Sequence, residues 1–490
     1  MVASRRYYIL PISVVIYVVY IYTPLDVTWS YSSSEGKTWF ITLYDPEENK
    51  VTRAQKYIFE TTTRTASIAA VKARKPKQRR ETNSDTDEDE DSVEDDNKNE
   101  KSNIYAENVL TSQAKLRLKV LLHCNNRDFF PEYLQRRDYW VLKNYVRAEH
   151  GPLECYETVT YATHASYEFL DNVEPLVKRW LAPVSLAIHA PGTDIGPTMD
   201  SIRYLRDCLG TNLIRKYVTF HLIFPNNHIP DNIKDPIEFL ESDPNCPNTP
   251  PYVNVKLKKT YKRRKNLIYP VNIARNVARD AALTHFFLSS DVELYPSSGL
   301  VEKFLNMIAR NAKPLNTSRK PRVFPISLFE VADHVKAPSS KTEVQAMVKN
   351  KTAVSFHKFM CPSCHSMPNG RQWSKEEETG LMDVFHVGKR HGKSAHWEPI
   401  FIGTHQDPHY DDRLSWEGKM DKMTQNYILC LKDYDFMLLN NAILVHKPGI
   451  KHYKSDRKRE PLIRQQSQLI RNVIRNEIES LYGTREECIL

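Results

Sequence analysis

The stretch Asn266–Gly299, NLIYPVNIARNVARDAALTHFFLSSDVELYPSSG, decides how this chain is read. Three segments follow one another in it. From Asn272 to Leu283, Ile273, Val277 and Ala281 recur four apart with Arg275, Asn276 and Arg279 beside them, a spacing that predicts a helix. His285 to Ser290 is an apolar run of strand length, and Asp291, Val292 and Glu293 follow at its carboxyl end before Pro296 and Gly299 close the turn. On an extended chain alternate residues share a side, so Asp291 and Glu293 are expected to point together with Val292 turned into the core. Two carboxylates there suit a divalent cation, and the carboxyl edge is where open α/β sheets hold ligands. A bare D-x-E is equally an acidic turn after a buried strand, so the flanking sequence has to separate the two readings.

Outward from this stretch, four further strand-like runs precede it: Leu116 to His123, Thr158 to Ser166, Val184 to Ala190 and Val218 to Phe224. Helical patterns at Tyr167 to Trp180 and Thr198 to Leu209 separate the last three. Alternating strand and helix argues βαβ units and a mostly parallel sheet. Val301 to Arg310 is read as the helix after the acidic turn, Arg322 to Val331 as another strand, Asp333 to Arg390 as irregular, and Gln465 to Tyr482 as an amphipathic packing helix.

Tyr7 to Leu25 is free of charge, with Arg5 and Arg6 before it and Trp29 and Tyr31 after it. This is expected to be a transmembrane signal anchor with residues 1–6 in the cytoplasm; Pro24, Leu25 and Asp26 make a poor site for the alternative, a cleaved signal peptide. Residues 26–113 are expected to be a flexible lumenal stem, for they contain a basic block at Lys72 to Arg80 and an acidic one at Asp85 to Asp96. Behind an anchor the basic block does not read as a nuclear signal. Residues 114–490 form the expected folded domain, read in two parts, 114–300 and 301–490.

The net charge of +9 over 490 residues is modest, and its scatter argues against nucleic acid while allowing a polyanionic glycan or a sugar nucleotide. No G-x-G-x-x-G or G-x-x-x-x-G-K-[ST] occurs, so dinucleotide and P-loop cradles are not supported. Eight cysteines in a lumenal chain suggest disulfides of undetermined pairing. Cys361-Pro-Ser-Cys364-His365 matches a haem-attachment pattern and, with His357 nearby, half a zinc site, but a disulfide in an irregular loop accounts for it more simply. Asn316 and Asn350 open N-glycosylation sequons.

Six blocks in order then resemble one family: ATHAS with the helix and strand Phe169 to Gly192; YPVNIARNVARDAALTHFFLSSDVELYPS; FHKFMCPSCHSMPNGRQW; HWEPIFIG; HYDDRL; and Phe436 to Gly449. The chain is similar, from Thr158 to Gly483, to the family-49 glycosyltransferases, type II Golgi enzymes that include glucuronyltransferases acting on O-mannosyl glycans. The resemblance implies a GT-A fold (a Rossmann-like, mostly parallel sheet flanked by helices), a UDP-sugar donor, Mn2+ or Mg2+ as metal, inversion at the anomeric carbon, and a type II protein of the Golgi membrane. It places the metal motif on Asp291 and Glu293, with His446 as the late metal ligand. Glu293 stands where the family has a second Asp, and Lys419, Met420 and Asp421 replace an aromatic–Asn–basic triplet.

By position, Thr163, His164 and Arg275 are expected donor contacts. The catalytic base is expected in the Tyr410-Asp411-Asp412-Arg413 segment, where adjacent carboxylates on an extended chain point apart. Asp412, matching the family's Glu, is expected to face the site, with Asp411 or Glu398 as alternatives and Trp397 as a stacking face for the acceptor sugar. The expected partners are a UDP-sugar donor, a glycan or glycoprotein acceptor such as terminal xylose, the membrane through one helix, and a further copy or partner chain; nucleic acid is not expected. UDP-glucuronic acid is the expected donor. The rivals are a relative that binds glycans without turnover and an enzyme using UDP-N-acetylglucosamine. If the lumenal topology holds, an N-glycan endoglycosidase lowers the mass of the expressed protein, and Asn316→Gln with Asn350→Gln abolishes that shift.

Overall fold

The computed structural model describes residues 26–32, 38–45, 50–58 and 110–490, apart from 243, 245 and 454. The chain divides into two compact units, Met1–Val93 and Glu94–Leu490. In the first, β1 (Asp26–Ser32), β2 (Thr38–Asp45) and β3 (Lys50–Ile58) form an antiparallel sheet with Trp29 opposite Ile41. This sheet stands within the segment expected to be a flexible stem. Alternating β-branched and aromatic residues, Val27-Thr28-Trp29 and Phe40-Ile41-Thr42 among them, favour strands there. The apolar run Tyr7–Leu25 and both charge blocks lie outside the described residues. Among the described residues no helix is long and apolar enough to cross a membrane.

The second unit holds β4 (Glu132–Arg136), β5 (Tyr139–Val146), β6 (Val159–Ala165), β7 (Val184–His189), β8 (Val218–Pro225), β9 (Phe286–Ser289) and β10 (Leu294–Pro296). It continues with β11 (Arg322–Pro325), β12 (Ser327–Val331), β13 (Ala353–Ser355), β14 (Val384–Gly388), β15 (Phe401–Thr404), β16 (Asp435–Leu439) and β17 (Ile443–His446). A ten-stranded sheet runs β14-β16-β11-β15-β9-β6-β7-β8-β5-β4, and β10-β17-β12-β13 make a smaller one. The central four, β9-β6-β7-β8, are parallel. Chain order reverses across the β6–β9 pair, which makes its carboxyl end the crevice where such sheets take ligands. This mixed, parallel-centred α/β unit fits a GT-A type fold.

One face of the sheet packs under the Val271–Asp280 helix, whose Ile273, Ala274, Val277 and Ala278 meet Ala162, Ala187, Ile223 and Phe287. The opposite face is covered by the helices Val173–Trp180, Ile195–Asp207 and Leu300–Arg310, with Leu176, Ile202 and Phe304 fully buried.

Several expectations are corrected. Leu116–His123 is not a strand: Ser112–Leu122 is a helix, capped by the Thr111 Oγ1 accepting from Ala114 N at 3.2 Å. Its alternating Leu116 and Val120 are exposed, while Leu110, Ala114 and Leu118, four apart, are buried. Arg322–Val331 is two strands in two sheets, split after Pro325, where Ile326 N bonds Ile400 O at 3.0 Å. The segment 333–390 contains the Lys341–Lys349 helix, capped by Ser340, as well as β13 and β14. The last helix starts at Glu460 and passes through a π segment at Ile470–Ile474, so Gln466, Ile470, Ile474 and Ile478 all face inward. Gly403 of β15 has no space for a side chain, for a Cβ there would lie 2.4 Å from Asp407 Oδ2. Gly403→Ala is therefore expected to destabilise this unit by about 1–3 kcal/mol, seen as a lower urea midpoint at unchanged slope.

Candidate active site

His164, next to last in β6, and Asp291, just past β9, converge at the reversal point with His164 Nε2 3.3 Å from Asp291 Oδ1. Arg275 Nη2 reaches the same oxygen at 3.3 Å, and Lys422 Nζ lies 3.8 Å from Oδ2. Burial opposes ionisation of Asp291, yet Lys422, His164 and Arg275 together hold its carboxyl well below the usual range. Tyr269 supports the cluster, its hydroxyl 3.0 Å from His164 Nδ1.

Arg275 comes from the polar side of the Val271–Asp280 helix, where Asn272, Arg275, Asn276 and Arg279 are all buried. They are buried because residues 407–421 lie across them. Asn272 donates to the carbonyls of Asp411 and Asp421 at 2.9 and 2.8 Å. Asn276 donates to Tyr410 O at 2.7 Å and accepts from Tyr410 N at 3.1 Å. Arg279 holds the carbonyls of Asp407 and Pro408 at 2.8 Å. Arg275 itself also donates to the Asp421 carboxylate, which burial raises and Arg275 with Lys422 pulls below its ordinary value.

Glu293 and His446 meet through strand pairing: Leu294 of β10 faces His446 of β17, and Lys447 N donates to Glu293 O at 2.8 Å. His446 Nε2 lies 2.9 Å from Glu293 Oε1 without the alignment of a hydrogen bond. Its Nδ1 is 2.6 Å from Lys447 O, and since a carbonyl can only accept, Nδ1 keeps the proton. The Nε2 edge of the ring therefore faces the Glu293 carboxylate, with the backbone carbonyl orienting the imidazole as such groups do at metal sites. Lys451 Nζ is 3.1 Å from the same Glu293 oxygen. Burial raises Glu293, while His446 and Lys451 bring it down to about 2.

The expected metal trio is thus only partly assembled. Asp291–Glu293 is a turn, closed by Leu294 N to Asp291 O at 3.1 Å, so the alternation expected of a strand does not apply there. Val292 is buried as expected, but Asp291 sits among Arg275, His164 and Lys422 while Glu293 pairs with His446 and Lys451. Among the described residues no three His, Cys, Asp or Glu side chains converge on one metal position.

The base candidates separate clearly. Asp412 gives one oxygen to Arg136 Nε at 2.7 Å and the other to Asn276 Nδ2 at 2.8 Å. Asp411 is clasped by Arg413 at 2.9 and 2.7 Å, and Arg413 is shared with Glu477. The two carboxylates do diverge, but both are consumed in structural contacts. Glu398 is different: among the described residues its carboxylate forms no hydrogen bond or ion pair. Burial, with Asp421 adding to it against Lys422, Arg390 and Arg275, raises its carboxyl. Its backbone is pinned by Cys364 O at 2.6 Å and by His365 Nδ1 at 3.1 Å.

Trp397 offers no open face for a sugar; it is 2% exposed and packs 5.6 Å from Phe436. Thr163 is fully buried with its hydroxyl unpartnered among the described residues. The eight cysteines pair as 124–155, 208–246, 361–364 and 430–488, leaving no thiolate for the haem or zinc readings. Asn316 and Asn350 are both exposed. Sequence reasoning missed Tyr269, Lys422 and Lys451; the altered triplet at 419–421 was the one signal pointing near Lys422.

A parallel-centred sheet with carboxylates, a histidine and cations at its reversal point fits an α/β unit of the GT-A type. Residues 158–483 match the family described as "Glycosyl-transferase for dystroglycan". The chain belongs to this family of glycosyltransferase enzymes. It is 27% identical to beta-1,4-glucuronyltransferase 1 of Danio rerio over 297 residues, 58% of this chain and 65% of that protein. The Bos taurus protein of that name is 25% identical over 356 residues, 70% of this chain and 80% of its own length. Xylosyl- and glucuronyltransferase LARGE1 of Homo sapiens is 21% identical over 307 residues, 62% of this chain and 33% of that protein.

Asp412→Asn is expected to lower the unfolding midpoint, because it removes the charge that faces Arg136, while leaving Mn2+ binding intact. In calorimetric Mn2+ titrations His446→Ala and Asp291→Asn should each weaken binding. Titrations superimposable on the parent protein in both variants would make the acidic turn purely structural.

Proposed function

We propose that this chain is an inverting, metal-dependent glycosyltransferase that moves glucuronic acid from UDP-glucuronic acid to a glycan acceptor such as a terminal xylose. The reading rests most on one observation: His446 Nε2 aimed at Glu293 with its other nitrogen tied to a backbone carbonyl. Glu293 and His446 would hold Mn2+ or Mg2+, which when bound supplies Lewis acidity to the departing diphosphate, and Asp291, held apart by Arg275, His164 and Lys422, is the further candidate ligand. The relatives' names supply the donor sugar.

Glu398 is the base. Its carboxylate takes the acceptor hydroxyl's proton as that oxygen bonds to the anomeric carbon, and the sugar's bond to the diphosphate breaks on the opposite face. A carboxyl raised by burial is a stronger base than an ordinary glutamate, and Lys422 and Arg275 nearby keep it usable as an anion. Arg275 and His164 orient the donor beside Asp291. Pairing of all eight cysteines suits an oxidising compartment, in keeping with a catalytic unit in the Golgi lumen behind a type II anchor.

The test is UDP release from a set of UDP-sugars with and without Mn2+ and xylosides. UDP-glucuronic acid should be turned over fastest, and only with metal; preference for UDP-N-acetylglucosamine reassigns the donor, and no release with any sugar leaves a glycan-binding relative. Glu398→Gln should cut transfer by roughly two to four orders of magnitude with donor binding retained. Because Glu398 must be ionised to act and its carboxyl is raised, transfer should fall as pH drops through a value above the ordinary glutamate range.

A further inference from the structure

Three of the four disulfides tie distant parts of the chain together, across separations of 31, 38 and 58 residues, whereas Cys361–Cys364 spans only 3. A bridge constrains the unfolded chain more the longer the loop it closes, so this short one contributes least to holding the fold. It is also open to solvent. Cys361 and Cys364 are half-buried, and Pro362 and Ser363 between them are exposed. Cys430 and Cys488 are buried, as is Cys155. Cys246 is exposed too, but its bridge to Cys208 closes one of the long loops. Cys361–Cys364 is thus the pair that combines access for an attacking thiol with a fold that survives its opening.

The short loop is tied to its surroundings at both ends. Cys361 N donates to His357 O at 2.8 Å, and Cys364 N donates to Cys361 O at 3.1 Å. Glu398 N donates to Cys364 O at 2.6 Å. His365 Nδ1, facing a carbonyl that can only accept, donates to Glu398 O at 3.1 Å. Both backbone groups of Glu398 are therefore held by the residue that closes the disulfide and by its neighbour. Glu398 lies in neither a helix nor a strand, so no regular hydrogen-bond ladder holds them instead. The same loop leads to His446: the His365 ring lies 4.9 Å from that of Phe356, which lies 5.9 Å from the His446 ring.

We propose that Cys361–Cys364 is a thiol–disulfide exchange site whose oxidised form positions Glu398. The reactant is a thiol reductant of the glutathione class. One glutathione thiolate attacks a bridge sulfur, the Sγ–Sγ bond breaks, and the released cysteine thiolate takes up a proton. A second glutathione attacks the mixed disulfide, which frees the other cysteine as a thiol and leaves oxidised glutathione. Two electrons and two protons have then passed to the protein. Without the bridge the 361–364 turn can open, and the carbonyl that holds Glu398 N moves with it. The effect on transfer rests on the reading of Glu398 as the base; the exchange and the loosening of its backbone do not.

The full chain is titrated with glutathione under native conditions, and the thiols formed are alkylated and located by mass spectrometry. Amide hydrogen exchange and UDP release are followed on the same samples. Cys361 and Cys364 are expected to be alkylated before the other six cysteines, and exchange across residues 396–400 is expected to rise. Turnover should fall roughly ten- to a hundredfold in kcat, and oxidised glutathione should reverse all three changes. Cys361→Ser/Cys364→Ser should show the lowered kcat and faster exchange with no response to glutathione, at a thermal midpoint close to the parent's; should that variant unfold, the reduced parent decides. Opening of Cys208–Cys246 or of another pair first overturns the proposal. So does unchanged exchange at 396–400 once Cys361 and Cys364 are reduced. Exchange that responds while kcat does not supports the clamp and removes Glu398 from the role of base, so the two readings fail separately.

Discussion

The catalytic unit depends on one helix being buried on two sides. Val271–Asp280 lays Ile273, Ala274, Val277 and Ala278 on the sheet and inserts Asn272, Arg275, Asn276 and Arg279 under residues 407–421. A loop without regular structure has backbone groups to satisfy, and here side-chain amides and guanidinium groups take the place of a neighbouring strand. The same helix thereby fixes both the carboxyl ends of the central strands and the segment that carries Asp411, Asp412 and Asp421.

Arg275 joins these two halves electrostatically. It lies between Asp291 and Asp421, 3% exposed, so breaking either partnership leaves a charge uncompensated in a poorly solvated place. The Asp421 carboxylate pairs with Arg275 and so ties the 419–422 segment to the helix. Lys422, one residue on, returns a positive charge to Asp291.

Other parts of the chain support the site from outside. The Cys361–Cys364 loop holds the Glu398 backbone through Cys364 and His365, leaving the carboxylate unencumbered. The last helix reaches in with Gln466, which bonds Ser415 N at 2.8 Å and fills the space that a side chain at Gly418 would need. This keeps the segment leading to Asp421 close to the helix that reads it.

By itself the sequence determined the α/β class, most central strands and helices, and the family, and it singled out Asp291, Glu293, His446 and Arg275 as candidates. Those follow from local periodicity and from motifs whose residues are neighbours along the chain. Tertiary structure decided which carboxylate is free. Asp412 and Asp411 look as suitable as Glu398 on paper, but Arg136, 276 residues away from Asp412, and Arg413 occupy them. It also decided that Trp397 is core, that Leu116–His123 belongs to a helix, and that the D-x-E lies in a turn. In each case the outcome rests on partners distant in sequence, and a pattern of neighbouring residues contains no record of what folds back onto it.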